Sequence, residues 1–273
     1  MAQSELTITV TAENVAELSD RVLPYRMRHS SQQAPAAPNK FWDQIQSQID
    51  RANELFNALT EQQQAEVVAI ELALEKYRTD KQNAEDEQQR IRRRDANLRN
   101  SGCRPTDADR DALTGRNLIQ TAAVTTAWEW FYTTRDHPVL LLSGTTGNGK
   151  TYAAMNLIAT YAHDSMYLRA DQAVKIFAAH FGPQLEQQER ARDVNLLILD
   201  DVGIESDSAR MQDVLVDIID SRASARETPT VITTNCGKKQ WAERYSTQRL
   251  MSRMCDRVRW EAITDVDMRR QSK

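Results

Sequence analysis

The 273-residue chain has no apolar run of the ~18 residues that a membrane-spanning helix requires. Its opening decapeptide, MAQSELTITV, lacks the basic and then apolar pattern of a secretion signal. The expected location is the cytoplasm, with no membrane partner. Cysteine is scarce: Cys103, Cys236 and Cys255 are odd in number and show no CxxC spacing, which excludes a disulfide framework and a cysteine zinc site. The four histidines are equally dispersed. Basic excess is missing too, since a net charge of −4 rules out a uniformly basic nucleic-acid coat and leaves only local patches to consider. What remains is 40% hydrophobic and 27% charged, enough for one full domain and a smaller one.

Against this background one octapeptide stands out. Gly144-Thr145-Thr146-Gly147-Asn148-Gly149-Lys150-Thr151 fits GxxxxGK[ST], the loop that wraps nucleotide phosphates. Its glycines free backbone N–H groups to form an anion nest, Lys150 supplies charge for the β and γ oxygens, and Thr151 is the expected magnesium ligand. The flanks agree: Val139 to Ser143 reads as a buried parallel strand, and Thr151 to Tyr161 carries apolar residues at helical spacing. Binding of ATP or GTP with Mg2+ follows as an expectation.

Upstream the pattern is helical. Leu6, Ile8 and Val10 alternate as a short strand would, Asn14 to Leu23 predicts a helix, and Ser30 to Pro38 has linker composition. Ile45, Ile49, Ala52, Phe56 and Leu59 form one apolar stripe. Thr60 and Gln63 have the spacing of a capping box, opening a second helix through Val67, Ile70, Leu74 and Tyr77; a hairpin and a long bent helix both satisfy this. Six arginines between Arg90 and Arg104 are either a solvated helix face or a stripe that contacts DNA phosphates. The expected organisation is a weakly structured segment and linker over 1–40, a helical interaction domain over 41–99, a linker over 100–115, and an α/β domain over 116–273. That last domain opens with an amphipathic helix from Arg116 to Arg135, bearing Leu118, Ile119, Ala122, Trp128 and Phe131.

Within it, strands Met166 to Leu168, Leu196 to Leu199 and Thr230 to Thr234 alternate with helices Asp171 to Phe181 and Ser208 to Ala225, indicating a mainly parallel sheet covered on both faces. Leu196-Leu197-Ile198-Leu199-Asp200-Asp201 runs a buried strand into two carboxylates, the form of a Walker B element. Asp200 is the expected magnesium residue, and Asp201 the group that polarises the attacking water. Asn235 ends the next strand, either as a turn residue or as a polar contact to the γ-phosphate.

The layout LLILDDVG, then ESDSARMQDVLVDIIDSRASARETPTVITTN, then RLMSRM resembles the DnaC, DnaI and IstB group of AAA+ ATPases, and DnaC-type replicative helicase loaders above all. The segment Arg99-Asn100-Ser101-Gly102-Cys103-Arg104-Pro105 is similar to one those loaders carry before their ATPase domain. The resemblance implies an AAA+ P-loop core without a C-terminal lid, and only 20 residues follow Arg253. It implies that Asn235 is sensor 1, that Arg253 is an arginine finger acting on a neighbour's γ-phosphate, and that Arg249 supports it or contacts nucleotide. Asp201 stands where many AAA+ proteins have Glu, which implies slow hydrolysis of ATP to ADP. It implies single-stranded DNA binding through the helix with Lys175, Phe177 and Phe181, although Phe177 fits a core position equally well. Domain order implies a hexameric DnaB-type helicase as partner of the N-terminal helices in the bacterial cytoplasm, with self-assembly into a ring or spiral. The alternatives are an IstB-like transposition ATPase on duplex DNA and an interaction protein that nucleotide merely stabilises.

Overall fold

The computed structural model describes residues 8–29, 40–115, 119–133, 137–161, 164–224 and 228–264. The chain divides into two compact units, Met1–Glu87 and Gln88–Lys273. Among the described residues no helix is long and apolar enough to cross a membrane.

The first unit contains α1 (Val15–Val22), a 3-10 turn (Leu23–His29), α2 (Lys40–Asn57) and the beginning of α3 (Glu61–Asn100). Leu18, Val22, Val67, Ile70 and Leu74 form its core, with Phe56 and Leu59 packed against them. The break between α2 and α3 is the expected capping box: Thr60 N donates to Gln63 Oε1 (3.0 Å), and Gln63 N to Thr60 Oγ1 (3.3 Å). These reciprocal bonds satisfy amides that a continuous helix would have paired internally, so the chain forms two helices. Residues 8–10 form no strand; Ile8 and Val10 pack on the helical core, where no partner strand is offered. Residues Ser30 to Pro38 lie outside the described residues.

The second unit is built on a five-stranded parallel sheet in the order β2-β3-β4-β1-β5. The strands are β1 (Val139–Ser143), β2 (Ser165–Arg169), β3 (Leu196–Val202), β4 (Thr230–Thr234) and β5 (Val258–Ala262). Alternation sends Leu141, Leu197, Leu199 and Ile232 to one face and Leu140, Leu142, Ile198 and Val231 to the other. On the first face lie α7 (Ala170–Ala178), α9 (Ser208–Ile218) and α11 (Gln248–Arg257); on the second lie α5 (Ala122–Thr133) and α6 (Lys150–Thr160). Burial on both faces is why these strands read as continuous apolar runs.

Several elements escaped the sequence reading. α4 (Asp107–Thr114) lies inside the segment read as a linker, with Thr106 Oγ1 accepting from Asp109 N at 3.2 Å. α8 (Pro183–Asp193), α10 (Lys238–Arg244) and β5 also went unread. The helix expected from Arg116 begins at Ala122, where Thr121 Oγ1 caps Val124 N at 3.0 Å. Ile119 lies before it, 42% exposed, and Arg116, Leu118 and Arg135 fall outside the described residues. The helix expected to run to Ala225 ends at Ile218 and continues as a π-helical turn to Ser224.

Candidate nucleotide site

Parallel β1 and β4 end side by side, Ser143 opposite Thr234, and the glycine loop leaves from this edge into α6. Gly144 has φ 153°, and a Cβ there would lie 2.2 Å from Asn148 Nδ2 and 2.3 Å from the Ile263 carbonyl oxygen, so no other residue fits. Gly149, at φ 85°, turns the chain into the first residue of the helix, Lys150. The first amides of α6 therefore point back at the loop, the arrangement that binds phosphate. Lys150 Nζ is buried and donates to Gly144 O (2.9 Å), Thr145 O (2.8 Å) and Asn148 Oδ1 (2.8 Å). Burial lowers its pKa, while Asp201 and Asp200 pull it back up.

At the end of β3, Asp200 is 2% exposed and wholly engaged by hydroxyls. Oδ1 accepts from Thr151 Oγ1 (2.9 Å) and Thr233 Oγ1 (2.5 Å), and Oδ2 accepts from Tyr167 Oη (2.5 Å). Thr151 and Asp200, expected from sequence to share a cation, are thus brought together from residues 49 apart. A hydroxyl and a carboxylate fit Mg2+, which keeps most of its coordination for phosphate and water oxygens. Tyr167 and Thr233 were not foreseen, because their role depends on strand neighbours: Thr233 sits on β4 and Tyr167 on β2, both adjacent to β3. Burial, then Asp200, pushes the Tyr167 phenol well above its ordinary range, so it remains a donor.

Asp201 is the one non-glycine residue with positive φ (59°) among those described. Its amide donates to Thr233 Oγ1 at 2.9 Å, where the β3–β4 register slips between Leu199 and Val202. Strain of this kind is retained where surroundings impose it. Asn235 is exposed, one residue past the pair from which the glycine loop departs. The loop, the paired acids and Asn235 therefore converge on one edge of the sheet.

A family model described as IstB-like ATP binding protein matches residues 45–272. The chain belongs to this IstB-like family. A curated relative, an ATP-binding protein described for insertion sequence IS1162 of Pseudomonas fluorescens, is 33% identical over 129 residues, 44% of this chain and 53% of that one. The chain thus spans about half the length of that relative. Among solved structures, DnaI is similar at 23% identity, covering 60% of this chain and 93% of that one with a TM-score of 0.46. The DnaC helicase loader is similar at 18%, covering 60% and 94%, with a TM-score of 0.43.

The remaining residues singled out from sequence lie elsewhere in this IstB-like unit. Arg253 Nε donates to Asp220 Oδ1, Arg249 Nη2 donates to Asp220 Oδ2 at 3.2 Å, and Arg253 Nη1 donates to Arg249 O at 3.0 Å. Hydrogen bonding from Arg253 holds the Asp220 carboxyl below its ordinary range. Asp220 is two residues from Arg222, which bonds the carbonyls of Val194 and Pro229 just before β3 and β4. This pair of arginines is therefore tied to the π-helical turn Ile219–Ser224 that follows α9.

Helix α7 is shorter than expected and does not place Lys175, Phe177 and Phe181 together. Lys175 is exposed and 3.7 Å from Asp171. Phe177 packs on the sheet core with the Arg192 guanidinium 5.3 Å from its ring centre, which favours the core reading of that residue. Phe181 lies beyond the helix and is 82% exposed. Of the arginine run, Arg94 Nη1 donates to Gly115 O (3.3 Å) and Arg99 pairs with Asp95, while Arg92, Arg93 and Arg104 are exposed.

Proposed function

We propose that this chain is an ATPase that assembles on DNA and acts for a transposition system, with ATP and Mg2+ held by the P-loop, Thr151 and Asp200. The observation that carries this reading is the family match over residues 45–272, which includes most of α2 and all of α3 as well as the ATPase core. The insertion-sequence relative points the same way. In this reading Asp201 and Asn235 orient the attacking water, and Arg253, with Arg249, reaches the γ-phosphate of a neighbouring copy. The engagement of both arginines by Asp220 rather than by the glycine loop supports an action in trans. An arginine supplied this way contributes about 10³-fold or more in comparable enzymes, so hydrolysis is slow until copies assemble.

A second reading, the loading of a hexameric DnaB-type helicase onto single-stranded DNA, draws support from the motif order and the Arg99–Pro105 segment. Measurement of ATPase rate against protein concentration, alone and with duplex or single-stranded DNA, separates the two. A rate per subunit that rises with concentration and with duplex is the expected result. Stimulation by single strands, together with a stable complex with a hexameric helicase, transfers the assignment to the loader. A rate flat in concentration and indifferent to both DNAs overturns assembly-dependent hydrolysis.

A further inference from the structure

One side chain of the glycine loop turns away from where phosphate would sit. Asn148 is fully buried, and its Nδ2 donates to the backbone oxygen of Ile263 at 2.8 Å while its Oδ1 accepts from Lys150 Nζ at 2.8 Å. The carboxamide can be oriented in only one way, because an ammonium only donates and a carbonyl only accepts. Ile263 directly follows β5, and its own amide donates to Ser143 O at 2.7 Å. The backbone at Gly144 passes so close to both Nδ2 and Ile263 O that a methyl group there would overlap them. A continuous path therefore runs from Lys150 through Asn148 to Ile263 and β5, and from β5 back to α11, which carries Arg249 and Arg253.

All three N–H groups of Lys150 are used, on Gly144 O, Thr145 O and Asn148 Oδ1. A triphosphate that draws Nζ forward displaces at least one of them. Loss of the Asn148 contact leaves a buried acceptor without its cation, so this bond opposes nucleotide binding.

We propose that Asn148 is a positioning residue that ties the resting place of the P-loop lysine to the chain following β5. Phosphate that takes Lys150 releases one half of the carboxamide's grip and changes the hold on Ile263. The proposal rests on nucleotide binding at the P-loop but not on any DNA or protein partner.

The test compares the full-length protein with Asn148→Ala and the isosteric Asn148→Asp. The readouts are calorimetric affinity for a non-hydrolysable ATP analogue with Mg2+ and hydrogen exchange over residues 258–264. In the native chain the analogue is expected to alter exchange in that segment. Asn148→Ala removes both partners, so the analogue binds about tenfold tighter, the size of one charge-assisted hydrogen bond, and the segment exchanges fast with or without it. Asn148→Asp strengthens the hold on Lys150 and sets an acceptor against the Ile263 carbonyl. It binds the analogue about tenfold more weakly, again without a response in 258–264. Opposite signs for the two variants are the signature, because a residue that only supports the loop weakens binding in both. Equal weakening, or a native-like response of 258–264 in either variant, overturns the proposal. No binding by the native chain overturns the nucleotide reading itself.

Discussion

The two ends of the parallel sheet both hold buried charge, but they hold it differently. Where the strands begin, the Arg222 guanidinium is 0% exposed and bonds the carbonyls of Ala191, Arg192, Val194 and Pro229 and the hydroxyl of Thr230. Burial lowers its pKa to about 10, which leaves it charged at neutral pH. All but one of its partners are backbone carbonyls at the ends of these elements, so the residue is a fixed joint between α8, β3 and β4. Where the strands end, Asp200 and Lys150 are also buried, yet they are met by hydroxyls and by oxygens of a single loop. Such partners can rotate or be exchanged for phosphate and metal. Buried charge held by atoms fixed at helix and strand ends indicates architecture, and buried charge held by hydroxyls and by the oxygens of a glycine loop indicates a site.

The comparison can be broken at four places. The largest effect belongs to Arg253→Ala, for which the assembled ATPase rate should fall about 10³-fold while nucleotide affinity stays within a few-fold. Titrating protein concentration in the hydrolysis assay checks this, and an equal loss in the unassembled protein would place Arg253 outside a trans role. Next is Arg222→Leu, which orphans several buried carbonyls and should cost about 3 kcal/mol or more of stability. Thermal unfolding measures it, and an unchanged midpoint would contradict the fixed joint.

Thr233→Val should lower turnover about tenfold and cost less stability than Arg222→Leu, since it removes one donor from Asp200 and the acceptor for the Asp201 amide and leaves the other donors of Asp200 in place. A large loss of stability with unaltered turnover would move Thr233 to the architectural group. The smallest effect concerns Asp220. Its folded pKa is depressed by Arg253, so the pairing contributes stability above the ordinary carboxylate range and loses it as pH falls through the folded value. The native chain and Asp220→Asn should therefore differ slightly in unfolding temperature at pH 7 and converge under more acidic conditions; a constant difference across that range would refute the pairing.

Much of the nucleotide edge was legible because its chemistry is local. The glycine loop needs consecutive backbone amides, so it is written as consecutive residues, and the strand into Asp200 and Asp201 is an apolar run that ends in acids. Other parts carried no such mark. α8 buries only Gln188 and Ala191, too little for an apolar stripe. β5 pairs with β1 alone at the edge of the sheet, and Val258-Arg259-Trp260-Glu261-Ala262 lacks the apolar run of a central strand. Phe177 and Phe181 shared a helix in the sequence reading, but α7 ends at Ala178 and separates them.

By itself the sequence determined the P-loop, the acidic strand and the parallel α/β order, all set by propensity and contacts within a few residues, and it offered the cap at Thr60 without choosing between a hairpin and a bent helix. Only the tertiary structure decided that Tyr167 and Thr233 serve Asp200, that Asn148 joins Lys150 to Ile263, and that Asp220 gathers Arg249 and Arg253. Each of those pairings, Asn148 with Lys150 excepted, joins residues at least 29 positions apart, and strand order and register bring such residues within hydrogen-bonding distance.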